Sequence, residues 1–169
     1  MKRNRWLMAL CLLQGVLLLA QQTEEDRIGL LLDGWHHAAS RADFDAYFDK
    51  MAPSAVFVGT DATEHWDRDA FMAFSRPYFE QGKAWSFTPV QRHIFVGAGG
   101  RVAWFDELLD TWMQLCRGSG VLVKEGEEWK IAHYVLSIAI PNETVQGVIA
   151  LKKEQDSVLK RSLLLGAPN

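Results

Sequence analysis

Cysteine is nearly absent: the 169 residues hold only Cys11 and Cys116. Cys11 lies inside an apolar N-terminal run, so removal of that run leaves Cys116 as the sole thiol. An internal disulfide is thereby excluded, and Cys116 reads as a buried or turn-flanking side chain. Metal-binding spacings are missing too. His36 and His37 are adjacent, which on a helix points them about 100° apart, and no HxxxH, HxH or HExxH pattern accompanies them. They read as core or solvent histidines, and no metal is implied. The Gly-rich stretch Gly97-Ala98-Gly99-Gly100 leads into a strand pattern and not into a helix, which excludes a phosphate-binding loop. No cofactor is implied, and there are no repeats or low-complexity tracts.

Positive charge is in deficit, and the first 20 residues sharpen that deficit. Lys2, Arg3 and Arg5 precede an apolar run from Trp6 to Ala20, the pattern of an export signal, with cleavage expected after Ala20. The run falls short of the about 20 apolar residues of a membrane span, and polar Gln21, Gln22 and Thr23 follow without a basic patch. No stable membrane insertion is therefore expected after cleavage. Leu10 before Cys11, where lipoprotein signals want a small residue, argues against lipidation. Taking three basic residues from 18, against 21 acidic ones, leaves the mature chain near −6. An acidic exported protein, periplasmic or secreted, is expected, with no nucleic-acid partner.

What remains is enough for one globular domain: 49% of the chain is hydrophobic and 23% charged. From about Thr23 to Ala42, Ile28, Leu31, Leu32, Trp35, Ala38, Ala39 and Ala42 recur at three- and four-residue steps, the face of one helix. Thr23 can cap it, with Asp26 as the acidic partner of a capping box. Asp43 starts a second helix carrying Phe44, Tyr47, Phe48 and Met51, closed by Pro53. Ala55 to Gly59 reads as a strand, Thr60 to Thr63 as its turn, and Glu64 to Trp66 as a short return. Asp67 caps a third helix with Phe71, Phe74 and Tyr78 on one side, ended by Pro77 and Gly82.

From Ala84 the chain stays extended. Val102 to Ile140 holds β-branched and aromatic residues, two polar interruptions and no proline, an antiparallel meander. Turns that pair Val96 with Arg101, Trp112 with Arg117 and Lys124 with Glu128 give mutually consistent registers. The last, a three-residue turn, avoids setting Lys124 opposite Trp129 and Glu125 opposite Glu128. Period-two alternation then puts Trp85, Phe87, Gln91, His93, Trp104, Asp106, Leu108, Asp110, Trp112, Arg117, Ser119, Val121, Val123, Trp129, Ile131, His133, Val135 and Ser137 on one face. The other face carries Val90, Ile94, Phe105, Leu109, Leu122, Ala132, Leu136 and Ile138, with Glu107, Lys124, Lys130 and Tyr134 near its edges.

Chemistry is expected on the first face, where titratable groups gather on an apolar wall. Asp110, Ser119 and His133 fall there in one row, but strand order sets Ser between Asp and His, about 10 Å apart, whereas a nucleophilic triad needs His in the middle. Serine catalysis is rejected. Asp110 and His133 are instead the candidate acid–base groups, Arg117 can grip an anionic or carbonyl group, and Trp85, Gln91, His93, Trp104, Asp106, Trp112, Ser119 and Ser137 are the candidate ligand-binding residues. The apolar second face is expected to be covered by a second copy of the chain. After Pro141, Asn142 can cap a last helix through about Leu165, with Val145, Val148, Ile149, Val158, Leu159 and Leu163 as a broken stripe expected to pack on the sheet or on a partner. Asn142-Glu143-Thr144 is also a formal glycosylation sequon, although the cap reading suffices for the asparagine.

The stretches GTDATEHW, CRGSGV and WKIAHYVLS, set after three helices, resemble a SnoaL-like domain of the nuclear transport factor 2-like superfamily from about Glu24 to Asn142. Trp129, His133 and Ser137 form a W-x3-H-x3-S pattern that is also similar to the non-catalytic calmodulin-dependent kinase association domain. The resemblance implies an α+β cone-shaped half-barrel, a strongly curved antiparallel sheet wrapped on N-terminal helices, also described as cystatin-like. The expected division is a signal peptide at 1–20, the SnoaL-like domain at 21–142 and a C-terminal helix and tail at 143–169. The resemblance further implies a cavity for a small apolar or carboxylate-bearing molecule. Polyketide cyclases, ketosteroid isomerase and scytalone dehydratase share the superfamily and use acid–base chemistry without a cofactor. Their catalytic residues match no motif here, so the candidates above rest on their position on the wall. The expectation is an exported small-molecule binder with acid–base lyase or isomerase chemistry; the alternative is a non-catalytic dimeric association module, a homodimer formed through the sheet.

Overall fold

The computed structural model of the chain describes residues 22–166. The export signal expected at residues 1–20 lies outside the described residues. Helix α1 spans Glu24–Ser40, and its capping box is formed: the Asp26 amide donates to Thr23 Oγ1 and the Thr23 amide to Asp26 Oδ2, each at 3.1 Å. Its apolar face buries Ile28, Leu32, Trp35, Ala38 and Ala39. Asp43 caps the short α2, Phe44–Asp49, and Asp67 caps α3, Arg68–Glu80, where both carboxylates accept from the third amide beyond them.

Strands β1 (Met51–Val58), β2 (His65–Asp67), β3 (Thr88–Val96), β4 (Val102–Thr111), β5 (Gln114–Glu125) and β6 (Glu128–Ile138) make one curved, unclosed sheet in the order β2-β1-β6-β5-β4-β3. The β1–β6 pair is parallel and every other pair antiparallel. Helices α1 to α3 lie against one face, and the core between is aromatic. Trp35 stacks on Tyr47 at 4.9 Å and meets Tyr134 edge-on at 4.8 Å, while Phe57 stacks on Phe71 at 4.0 Å between ring centroids. Among the described residues no helix is long and apolar enough to cross a membrane.

Each of the three expected hairpin registers is corrected. Val96 pairs with Ala103, not Arg101, and Thr111 with Gln114, which moves the turn to Trp112 and Met113. Both shifts are even, so they leave the side chains from Gln91 to Arg117 on the faces assigned to them, but an extra residue at Val90, where pairing passes from Pro89–Leu109 to Gln91–Leu108, turns Trp85 and Phe87 to the helix-covered side. The third is odd. A two-residue loop sets Glu125 against Glu128 and Lys124 against Trp129, with Gly126 at φ +61° in the position where such loops favour glycine. Tertiary contact stabilises this pairing: Glu24 of α1 accepts from Trp129 Nε1 at 2.6 Å and from Lys124 Nζ at 3.2 Å, and the Lys124 ammonium sits 5.6 Å over the Trp129 ring. The Trp129 hydrogen bond, helped by Lys124 and Arg27 against a smaller desolvation effect, holds the Glu24 carboxyl below its ordinary pKa.

The odd shift turns Trp129 and Ile131 onto the helix-covered face. Pairing then skips Ala132, from Leu122–Ile131 to Val121–His133. This extra residue restores His133, Val135 and Ser137 to the open face. The two faces also exchange the surroundings expected of them. The helices cover the apolar face of Phe105, Leu109, Leu122, Tyr134 and Leu136, all at least nine-tenths buried, and the Trp-and-polar face looks outward. The reason is hydrophobic: the face with fewer titratable groups goes against the helices.

The last helix, α4 (Val145–Leu164), starts later than expected and Thr144 stands at its N-cap without a side-chain cap bond, so Asn142 does not cap it. None of its residues is buried. The expected packing on the sheet is absent because the apolar stripe is broken by Lys152 and Asp156, which pair with each other at 3.3 Å.

Gly120 on β5 is held glycine by contact: a Cβ there would stand 2.5 Å from the His133 carbonyl oxygen and 2.7 Å from the Phe105 ring. Gly120→Ala is expected to cost about 2 kcal/mol of stability by overpacking. Urea denaturation checks this, and an unchanged midpoint would show that the sheet yields there at no cost.

Candidate functional site

On the covered face, Phe105, Glu107 and Leu109 alternate into the core, so a carboxylate takes a position that the pattern reserves for an apolar side chain. Glu107 is 0% exposed. An isolated charge there would be prohibitive, and the fold surrounds it with donors from three elements. His36 Nε2 on α1 lies 2.8 Å from Oε1, the Tyr134 hydroxyl on β6 donates to Oε1 at 3.2 Å, and Arg92 Nε on β3 donates to Oε2 at 2.8 Å. Arg92 also reaches Asp33 at 2.7 Å and the Gly29 carbonyl at 3.3 Å, which ties α1 to the sheet. Desolvation works to raise the Glu107 pKa, but the hydrogen bonds and charges of His36 and Arg92 outweigh it and hold the carboxyl below its ordinary 4.5. Burial, reinforced by that carboxylate, pushes the Tyr134 phenol well above its ordinary value, and burial does the same to Tyr47.

Of this cluster only Arg92 borders open space, a surface groove beside α1 that Asp33 and Gly29 also line. Trp35, Tyr47, Phe105 and Tyr134 fill the depth of the cone. The open space is at its mouth, a cavity of about 170 Å³. Phe57, Gly59, Thr60, Glu64 and Trp66 come to it from β1, β2 and their connection, Phe71 and Phe74 from α3, Trp85 and Phe87 from the stretch before β3, Trp112 and Met113 from the β4–β5 turn, and Leu136 from β6. Glu64 is the only titratable group among them, and its Oε2 accepts from the Asp61 amide at 3.1 Å. The buried cluster stands one ring behind this wall: Phe87 meets the His36 ring at 6.3 Å and Phe57 the Tyr134 ring at 5.5 Å.

Of the residues singled out from sequence, Trp85 and Trp112 line the cavity. Gln91, His93, Asp106 and Arg117 come together on the open face instead. His93 Nδ1 lies 3.1 Å from Asp106, its Nε2 lies 3.3 Å from Gln91 Nε2, and Arg117 stands 3.9 Å from Asp106. Donation from Nδ1–H to the carboxylate and acceptance at Nε2 satisfy both contacts with one neutral tautomer. Ser119 is paired beside Asp106, Ser137 beside Arg117, and Trp104 stacks on Phe95 at 5.8 Å. The expected row of Asp110, Ser119 and His133 is corrected: Asp110 pairs with Leu115 and His133 with Val121. These two partners are six residues apart along β5, so Asp110 and His133 are separated by about 20 Å. Among the described residues no group of three or more His, Cys, Asp and Glu side chains could hold a metal ion.

Sequence reading missed Glu64 and the set His36, Arg92, Glu107 and Tyr134. The charged residue in the apolar phase of β4 was a signal that a partner must exist; the partners, 15 to 71 residues away, carried none.

A curved, unclosed sheet wrapped on three helices, with its open space at the wide end, is the nuclear transport factor 2-like cone. Within that class the chain belongs to the SnoaL-like domain family, whose model matches residues 28–141. Among solved structures, a protein from Streptomyces avermitilis provisionally named a dehydratase of the nuclear transport factor 2-like family superposes with a TM-score of 0.60 at 15% identity, over 69% of this chain and 96% of the other. A nuclear transport factor 2-like protein of unknown function from Pseudomonas putida gives 0.58 at 18%, over 69% and 87%. A protein from Xanthomonas campestris provisionally named a calcium/calmodulin-dependent protein kinase II association domain gives 0.55 at 18%, over 71% and 90%. At these identities the likeness is one of fold. No curated protein matches the chain's sequence.

Replacing Glu107 tests the buried cluster. Glu107→Gln leaves Arg92 and His36 around a neutral amide and is expected to cost about 3 kcal/mol at pH 7. The carboxyl pKa is depressed in the folded state, so its stabilising effect is complete above the unfolded value near 4.5 and is lost as pH falls through the lower folded value. The gap between wild type and variant in urea melts is therefore expected to hold from pH 7 to about 5 and to narrow below the unfolded value. A gap constant down to pH 2 would show that the carboxylate is not held charged.

Proposed function

We propose that the protein binds a small, flat, largely apolar molecule at the aromatic mouth of the cone, and that Glu64 is the carboxylate that takes or gives a proton there. The cavity of about 170 Å³ walled by aromatic rings, with one carboxylate on it, carries this reading. An apolar cavity of about 150 Å³ accepts benzene, so the space suits a single six-membered ring. A carboxylate against an apolar wall is the minimum equipment for the proton transfers of a lyase or isomerase. The residues first singled out on the sheet keep one role in this reading, that of Trp85 and Trp112 as cavity walls. Export to the periplasm or the outside is part of the proposal and rests on the basic-then-apolar pattern of residues 1–20.

Phenol at ten times its dissociation constant is expected to stabilise the protein by about 1.4 kcal/mol, a rise of about 3 to 5 °C in Tm for a chain of this size. Filling the space by Leu136→Trp should abolish the shift. Glu64→Gln should retain it while removing any turnover detected in the wild type. A wild type whose Tm does not respond to any single-ring probe would refute the binding reading. The intact mass of the same exported preparation reads whether residues 1–20 have been removed.

A second reading is favoured by the open sheet face, where Phe95 and Trp104 lie stacked and about half exposed. We infer that two copies pair through this face, the non-catalytic association-module alternative, here on the opposite face from the one the sequence suggested. Trp104→Asp is expected to shift a dimer to monomer in light scattering at micromolar concentration without lowering Tm by more than a degree or two. A wild-type monomer under those conditions would rule the pairing out.

A further inference from the structure

Beside the cavity at the mouth lies a second depression of about 410 Å³ that shares three of its walls, Phe74, Trp85 and Trp112. The two differ in charge. The inner one carries Glu64 as its only charged group, and the outer one carries Lys83 as its only charged group, with the hydroxyls of Ser86 and Tyr78 beside it. Lys83 is placed by the chain's own geometry. Gly82, at φ +66°, ends α3 in the left-handed conformation; its amide donates to the Phe79 carbonyl and the Lys83 amide to the Tyr78 carbonyl at 3.0 Å. This paired closure fixes the backbone from which the lysine projects. Among the described residues Lys83 makes no salt bridge, as Lys50, Lys153 and Lys160 make none, and it alone of these four stands in the depression beside the aromatic cavity. A cation without an ion pair therefore stands in a depression that adjoins the aromatic cavity, in a protein whose overall charge is negative.

We propose that the ligand is bipartite, an aryl or other planar ring bearing a short arm that ends in a carboxylate. The ring occupies the inner cavity against Phe57 and Phe71, the arm passes Trp112, and the carboxylate meets the Lys83 ammonium and the Ser86 hydroxyl in the outer depression. Trp112, 79% exposed at the tip of the two-residue β4–β5 turn, is the shared wall along which the arm runs. The proposal rests on the reading of the mouth as a ligand site and adds the chemical class of the ligand. An ion pair at so open a position contributes little to affinity but distinguishes an anion from a neutral isostere.

The test uses the isolated full chain with 3-phenylpropionate and its neutral amide as probes, titrated by tryptophan fluorescence. At low ionic strength the acid is expected to bind about three- to fivefold more tightly than the amide, an advantage that shrinks at high salt. Lys83→Gln should abolish the difference and leave amide binding unchanged, and Lys83→Arg should restore it. If the amide binds and the acid gains nothing over it in the wild type, or keeps its gain in Lys83→Gln, the bipartite ligand is wrong and the ring-binding reading survives. If neither probe nor phenol binds, both fall together.

Discussion

A carboxylate without exposed surface must be surrounded by donors or give up its charge, and Glu107 imposes that condition on this fold. Its donors come from α1, β3 and β6, elements whose other polar ties, Arg92 to Asp33 and Trp129 to Glu24, lie nearer the surface. Apolar packing is permissive about angle and register; a charge with 2.8 Å contacts on both oxygens is not. The cluster therefore specifies how α1 lies across the sheet, and Arg92 extends the constraint to Asp33 and Gly29 on the same helix. Such a cluster is poor evidence of net stability, because desolvation offsets much of the Coulombic gain. Its consequence is geometric: α1 is held where Trp35 reaches Tyr47 and Tyr134 and closes the depth of the cone.

That closure explains why the open space lies at the mouth. With the interior filled, the rings of α3, the β1–β2 connection and the β4–β5 turn wall a cavity near the wide end. The acid–base groups of the interior stand one aromatic layer behind it, at Phe87 and Phe57. Only Glu64 and, further out, Lys83 put charge on the surface that a ligand would touch. The site so formed is apolar in its depth and charged at its two ends, and it is separate from the His93–Asp106–Arg117 group on the opposite side of the sheet.

The element order, the three helix caps, the α+β class and the four-strand meander were legible because each depends on residues within a few positions: Thr23 with Asp26, Asp43 with Ala46, Asp67 with Ala70. Side-chain alternation survived two misplaced turns because those errors were even. It failed at Trp85 and Phe87, which precede the extra residue at Val90, and at Trp129 and Ile131, where the error was odd, and it recovered at His133 only because of the extra residue Ala132. The short β-turn at Gly126 won over the longer one through Glu24, about a hundred residues away, which no local argument could weigh.

The site was less legible than the fold. Trp85 and Trp112 border the cavity at the mouth, and Gln91, His93, Asp106 and Arg117 stand together on the open face of the sheet. The sequence by itself determined which residues share a face within each uninterrupted strand, since that follows from a period of two, and where the first three helices begin, since a cap acts across three residues. Only the tertiary structure decided which face turns inward. The two faces differ by a few titratable groups, and the helices bury the one that loses less hydration, with Glu107 the one fully buried charge among the described residues and Arg92 of the same face paired to it.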